Sequence, residues 1–119
     1  MIYGASFTTH NDLNAFNNQI AAYIKSAQDA GQRVVMQFAP VADGNQILYT
    51  AHLLQTDDDL GLIYRFFIIT NENPTDFANQ VAQNLGEFQN AGLKVDVQYQ
   101  PVTKNGRVLY TACLIGRNK

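Results

Sequence analysis

Leu48-Tyr49-Thr50-Ala51 and Leu109-Tyr110-Thr111-Ala112 are the same four residues written twice in one chain. Slid by 61 positions, the chain matches itself around this string without a gap. Phe16 falls on Phe77, Gln19 on Gln80, Ala30-Gly31 on Ala91-Gly92, Val34 on Val95, Pro40-Val41 on Pro101-Val102 and Leu53 on Leu114. Many mismatches keep their chemistry, as in Ile20 with Val81, Ile24 with Leu85, Phe38 with Tyr99 and Ile47 with Val108. Two unrelated amphipathic patterns would not bring glycine, proline and a four-residue string into one alignment. The chain is a tandem duplication, and one small fold has to be read twice.

Each copy reads as a strand, a helix and a hairpin. Residues 2–9 and 62–70 are rich in β-branched and aromatic side chains, which predicts strands. Leu13, Phe16, Ile20, Ile24 and Ala27 recur at helical spacing, and Phe77, Val81, Leu85 and Phe88 repeat the stripe. Asp12 and Asn73 are expected N-caps, with Pro74 at the first helical position, where its missing N–H has no helical partner to lose. Gly31 and Gly92 stand where a helix ends in a left-handed residue. Residues 34–41 and 47–54 form the first hairpin around Asp43-Gly44-Asn45. Residues 94–102 and 107–115 form the second around Asn105-Gly106. Pro40 and Pro101 cannot donate to a ladder and predict an edge strand or a bulge.

A strand up, a helix down and a hairpin up and down place the last strand between the other two. The expected class is α+β: a tandem β-α-β-β duplication with six antiparallel strands, two helices packed on one face, and a pseudo-twofold relation. It is expected as a single domain of two repeats, 1–55 and 62–119, joined by an acidic linker at 56–61. A lone unit of this size is marginally stable, which favours pairing.

Strand alternation then assigns faces. Tyr49, Ala51 and Leu53, with Tyr110, Ala112 and Leu114, are expected under the helices. Val34, Met36, Phe38 and Val95, Val97, Tyr99 are expected to join them, as are Tyr3, Ala5, Phe7 and Tyr64, Phe66, Ile68. The opposite face then carries Ile63, Arg65, Phe67 and Ile69. The last strands add Leu48, Thr50, His52 and Leu54 in one copy and Leu109, Thr111, Cys113 and Ile115 in the other. Such a face is too apolar for solvent and predicts self-burial or a contact surface.

Composition narrows the function. The 119 residues are 46% hydrophobic and carry a net charge of -2. The eight Lys and Arg are scattered, with no basic stripe to meet phosphates, so no nucleic-acid partner is expected. One cysteine allows no internal disulfide. The start of the chain has no signal-peptide pattern, and the apolar run near residues 60–69 is too short to span a bilayer. A soluble cytoplasmic protein without a membrane partner is the expectation.

Chemistry is sparse. His52 aligns with Cys113 in the repeat, and a twofold would bring the two near one another. A third ligand or orienting acid is missing, and zinc needs three or four donors. A cysteine on a strand is more often a small buried hydrophobe. Asp57-Asp58-Asp59 lacks the alternating pattern and glycine of a calcium loop and reads as solvated linker. There is no G-x-G-x-x-G, Walker loop, C-x-x-C or G-x-S-x-G. Neither catalytic residues, nor a metal site, nor a cofactor is expected.

Lys94-Val95-Asp96-Val97-Gln98-Tyr99-Gln100, followed after a hairpin by Leu109-Tyr110-Thr111-Ala112, resembles the short sporulation-associated proteins of the Cse type. Those are single β-α-β-β units from Firmicutes and their phages. The resemblance implies fold, strand pairing and a bacterial or phage setting, and no activity. The first copy departs from it, with Val35 in place of the acid and Phe38 in place of the tyrosine, and the chain is twice the family's length.

Two functions follow as expectations. The leading one is a non-enzymatic, self-associating module, a homo-oligomer and most simply a dimer, that binds a protein partner. The alternative is a small-ligand binder for a nucleotide or carboxylate. Its pocket would lie between repeats or subunits, lined by Arg65, Phe67 and His52 beside Ile63 and Ile69, with Arg65 pairing the ligand's anionic group.

Overall fold

The computed structural model describes residues 1–118. Contacts divide the chain into two compact units, Met1–Leu62 and a second that begins at Ile63. The first unit runs β1 (Ile2–His10), α1 (Leu13–Asp29), β2 (Arg33–Phe38), β3 (Val41–Asp43) and β4 (Gln46–Thr56). The second runs β5 (Ile63–Asn71), α2 (Pro74–Asn90), β6 (Lys94–Tyr99), β7 (Val102–Lys104) and β8 (Arg107–Arg117). Every element of the second unit is its counterpart displaced by 61 residues. The expected linker belongs structurally to the first unit. Arg33 Nε donates to the Leu60 carbonyl at 2.9 Å, and Asp58 N donates to Thr56 Oγ1 at 3.1 Å.

The class is α+β, with two helices and two four-stranded antiparallel sheets. In each, the long last strand is central: β4 lies between β1 and β2 and also pairs β3, and β8 lies between β5 and β6 and also pairs β7. The count is eight strands where the sequence predicted six, and the prolines are the cause. Pro40 and Pro101 interrupt the predicted second strand of each copy, because a residue without an N–H cannot sustain the ladder. The backbone re-engages just before the break, with Ala39 N donating to Thr50 O at 2.9 Å and Gln100 N to Thr111 O at 3.0 Å. The Thr50 and Thr111 hydroxyls donate to the carbonyls of Ala39 and Gln100, and so satisfy acceptors beside the interruption.

The hairpin tips show why the glycine shifts by one position between copies. Gly44 is at φ 58° and its neighbour Asn45 is not in the left-handed region. Asn105 and Gly106 are at φ 51° and 73°. The first sign pattern suits a II′ turn, which wants glycine first, and the second suits I′, which wants Asn-Gly. The helix starts are also equivalent. Asp12 accepts from Asn14 N at 2.9 Å and Asn73 from Thr75 N at 2.9 Å. Behind each cap, His10 Nδ1 accepts from Asp12 N at 3.0 Å, and Asn71 Oδ1 accepts from Asn73 N at 2.8 Å. His10 is thus a structural acceptor whose job asparagine performs in the second unit.

The helices pack on the predicted face of the last strands. Phe16, Ile20, Ile24 and Ala27 of α1 are buried with Val34, Met36, Phe38, Ala51 and Leu53. In the second unit Phe77 and Phe88 are buried with Ile69, Ala112 and Leu114. The first strands lie the other way up from the expectation. Residues paired across a ladder share a face, and Ser6 pairs Leu53, Thr8 pairs Ala51, Phe67 pairs Leu114 and Ile69 pairs Ala112. The helix side is therefore Gly4, Ser6 and Thr8 in β1 and Arg65, Phe67 and Ile69 in β5. Tyr3, Ala5 and Phe7, expected in the core, are instead outside it, and Phe7 is 76% exposed. Phe66 and Ile68 point away from α2 for the same reason. Periodicity misled here because β1 puts its small polar residues under the helix, while β5 is apolar on both faces.

This reversal moves the core. Under α1 only small residues come from β1, and the weight falls on Val34 and Met36 of β2. Under α2 the large Ile69 comes from β5, while Val97 of β6 stays 45% exposed. Gly4 opposite Gln55 becomes Arg65 opposite Gly116, a large-for-small exchange across one ladder position. Ala27 becomes Phe88, and the Arg65 guanidinium lies over the Phe88 ring at 5.3 Å. A Cβ on Gly116 would come within 2.9 Å of Leu93 Cδ1 and 3.0 Å of Phe88 Cδ2. Gly116→Ala is expected to lower stability by about 1–3 kcal/mol through overpacking. Adding Phe88→Ala should cost less than the sum of the two single changes, read from urea unfolding midpoints.

Candidate functional site

The sequence-predicted residues are divided between the two units. Arg65, Phe67 and Ile69 share the helix side of β5, with Ile69 buried in the core and Arg65 engaged over Phe88. Ile63 is buried, and a bulge between it and Arg65 takes it off their alternation. His52 belongs to the first unit. Its ring stacks on Phe7, with centroids 4.4 Å apart and planes 6° from parallel.

That stack marks the first candidate surface. Phe7 pairs His52 across β1 and β4 on the side away from α1. Ala5 pairs Leu54 and Val35 pairs Leu54 from the other flank, extending the patch across all three strands. Ile2 lies at the end of the same strand and is exposed, as is Tyr3. β1 is also an edge, pairing only β4 among the described strands. The sequence carried a signal for this patch in the apolar character of Phe7, and the wrong strand parity concealed it.

The second candidate is a groove of about 350 Å³ between β5 and α2. It is lined by Phe67, Ile68, Ile69 and Thr70 on the strand and by Gln80 and Asn84 on the helix. Two predicted residues, Phe67 and Ile69, are here, whereas Arg65 and His52 are not among its walls. Gln80 and Asn84 were missed. Their signal was the helical spacing of four that places both on one face, together with the mismatch of Asn84 against Tyr23.

The titratable groups are occupied structurally. Cys113 is fully buried, and burial pushes its thiol up to about 12. A thiol kept protonated is neither a nucleophile nor a metal ligand at neutral pH. Asp57 is exposed and accepts from the Tyr3 hydroxyl at 3.1 Å. Arg117, which the sequence reading left beyond the end of its strand, is buried at the far end of β8 with Asp96 at 3.8 Å. Burial lowers its pKa and Asp96 opposes that shift. Another cleft, this one charged, at the hairpin tip contains Glu72, Lys104 and Arg107, with Arg107 Nη1 at 3.5 Å from Glu72. The first unit makes the matching contact without charge, Asn11 Nδ2 donating to Gln46 Oε1 at 2.6 Å. That cleft is therefore read as a structural tie.

Among the described residues, no group of three or more His, Cys, Asp or Glu is placed to hold a metal ion. No helix in them is long and apolar enough to cross a membrane. Compared with family models, curated proteins and solved structures, the chain matches none of them.

The thiol has a measurable consequence. Its folded pKa is raised, so above the ordinary thiol value of about 8.5 the unfolded chain releases a proton that the folded chain keeps. Stability from this group is complete below that pH and falls as pH rises toward about 12. The slope is at most about 1.4 kcal/mol per pH unit. Urea unfolding at pH 7.5 and pH 10 should show a smaller loss for Cys113→Ala than for the parent chain. Native Cys113 should also resist thiol reagents until the protein unfolds.

Proposed function

We propose that this chain is a non-enzymatic, self-associating protein-binding module, and that its first partner is a second copy of itself. The observation that carries the reading is the Phe7–His52 stack on the side of the first sheet away from α1. Phe7 leaves 76% of its surface in water, and exposed Ile2 and Tyr3 lie on the same edge strand. An aromatic ring set in a strand patch of this kind is what an interface centre uses, since burying it gains about 1.5–3 kcal/mol. A symmetric dimer places the same patch on both partners, so each such residue counts twice. The non-enzymatic part rests on Cys113, whose thiol is buried and protonated, and on His52, whose ring is committed to the stack. A protein with one unpaired buried thiol works without an oxidising compartment, and we place it in the cytoplasm.

Native mass spectrometry and sedimentation of the full chain test the reading. The parent chain is expected as a dimer at micromolar concentration. Phe7→Asp should weaken dimerisation at least about tenfold while the chain keeps its native circular dichroism, because Phe7 is exposed and outside the core of its own unit. A parent chain that stays monomeric at high concentration, or a Phe7→Asp variant as dimeric as the parent, would sink the proposal.

A further inference from the structure

Each unit serves as a template for the other. Because every element repeats at a displacement of 61 residues, Tyr23 on α1 and Asn84 on α2 occupy the same place in their units. Tyr23 is half-buried, and burial pushes its phenol up while a hydrogen bond to Gln55 opposes the shift. Its hydroxyl therefore crosses from the helix to the central strand, where Gln55 stands opposite Gly4 of β1. β1 contributes only Gly4, Ser6 and Thr8 on that side, so the ring has room.

The second unit carries no ring at the Tyr23 position, and Phe88 and Arg65 fill the space over Gly116 instead. Asn84 is too short to cross, and its amide turns back to donate to the Gln80 carbonyl of its own helix at 2.9 Å. The counterpart of Gln55 is Gly116, which offers no side chain to meet. Beside Asn84, along the later residues of β5, a groove of about 350 Å³ stays open between β5 and α2. Its size lies at the lower end of small-ligand sites, roughly 300–1,000 Å³. Phe67, 45% exposed, presents ring surface to it, and Ile69 gives an apolar wall. Gln80 and Asn84 supply neutral amide groups, and β5 is an edge strand with outward backbone donors and acceptors.

We infer that this groove binds a small planar aromatic molecule with an uncharged polar edge, of the phenol class, beside the helix position that Tyr23 takes in the first unit. The ring stacks against Phe67, and the polar edge meets the carboxamides. No wall residue is charged, so a neutral ligand is preferred to a carboxylate or phosphate. The site lies in the second unit and does not depend on the sheet surface proposed for self-association.

The probe is p-cresol, the tyrosine side chain as a free molecule, titrated into the full chain and followed by backbone and side-chain amide NMR. Saturable shifts are expected at residues 67–70 and at the Gln80 and Asn84 side-chain amides. Cyclohexanol, of similar size but not aromatic, should bind at least several-fold more weakly. Asn84→Tyr supplies the missing ring from the chain itself and should abolish the shifts. Phe67→Ala, at a half-exposed position that leaves the core intact, should weaken binding and guards against a folding defect in the first variant. No saturable shift, shifts centred elsewhere, equal binding of cyclohexanol, or undiminished binding by both variants would overturn the inference.

Discussion

In each unit one phenylalanine of the helix wedges between two aromatic rings of the sheet, and the rest of the unit is arranged around that contact. Phe16 lies 6.1 Å from Phe38 and 5.9 Å from Tyr49, with tilts of 52° and 37°. Phe77 lies 6.0 Å from Tyr99 and 5.8 Å from Tyr110, with tilts of 50° and 34°. The wedge ties the first turn of the helix to the edge strand and to the central strand at once, and so sets where the helix crosses the sheet. Burying such a ring is worth about 1.5–3 kcal/mol, and each tilted aromatic pair adds about 0.5–1.5 kcal/mol. Against a net domain stability of about 5–15 kcal/mol, this one cluster is a large share. Tyr49 and Tyr110 come from the four-residue string that reveals the duplication, so the string recurs because the wedge needs its tyrosine.

Away from the wedge the two cores solve the same packing problem with different residues. Toward the helix C-terminus the first unit has Ala27, Gly4 and Gln55, and the second has Phe88, Arg65 and Gly116. Any one of these exchanges alone would leave a void or a clash, since interiors are packed close to crystal density. Together they keep the space filled: the large ring of Phe88 requires a glycine beneath it, and Arg65 covers the ring from the edge. The same logic applies to polar contacts. Asn11 with Gln46 and Glu72 with Arg107 tie the same two positions, once by a neutral hydrogen bond and once by an ion pair. The ion pair is solvent-exposed and contributes little beyond geometry.

These compensations explain what could be read from the sequence. The duplication, the helices, both caps, the turns and the faces of the last strands follow from local rules, because period, capping and turn chemistry act within a few residues. The strand count failed at Pro40 and Pro101, where a local signal for irregularity was present but its consequence, a strand cut in two, depends on the partner strand. The parity of β1 and β5 failed for a different reason. A strand's face is set by its ladder partner, and a one-residue offset turns every side chain over. Ser6 and Thr8 fit under α1 only because Val34 and Met36 of β2 fill that core, which no window on β1 reveals. Parity accounts for Arg65, Phe67 and Ile69 lying on the helix side, whereas a bulge takes Ile63 off their alternation and His52 belongs to the first unit.

After a duplication, residues that hold the fold are constrained in both copies, whereas residues outside that constraint are free to diverge. The wedge, the threonines beside the prolines and the caps have the same roles in both units. Phe7 and His52, which face away from α1, have Ile68 and Cys113 as counterparts, and Cys113 is fully buried where His52 is not. Tyr23, which ties helix to sheet, has Asn84, which opens a groove. The two units thus differ in compensated core exchanges and also at surfaces that the fold does not require. Such divergence within one scaffold separates the positions that stability holds in both units from those it leaves free, and the outer sheet face of the first unit and the helix–strand groove of the second are among the latter.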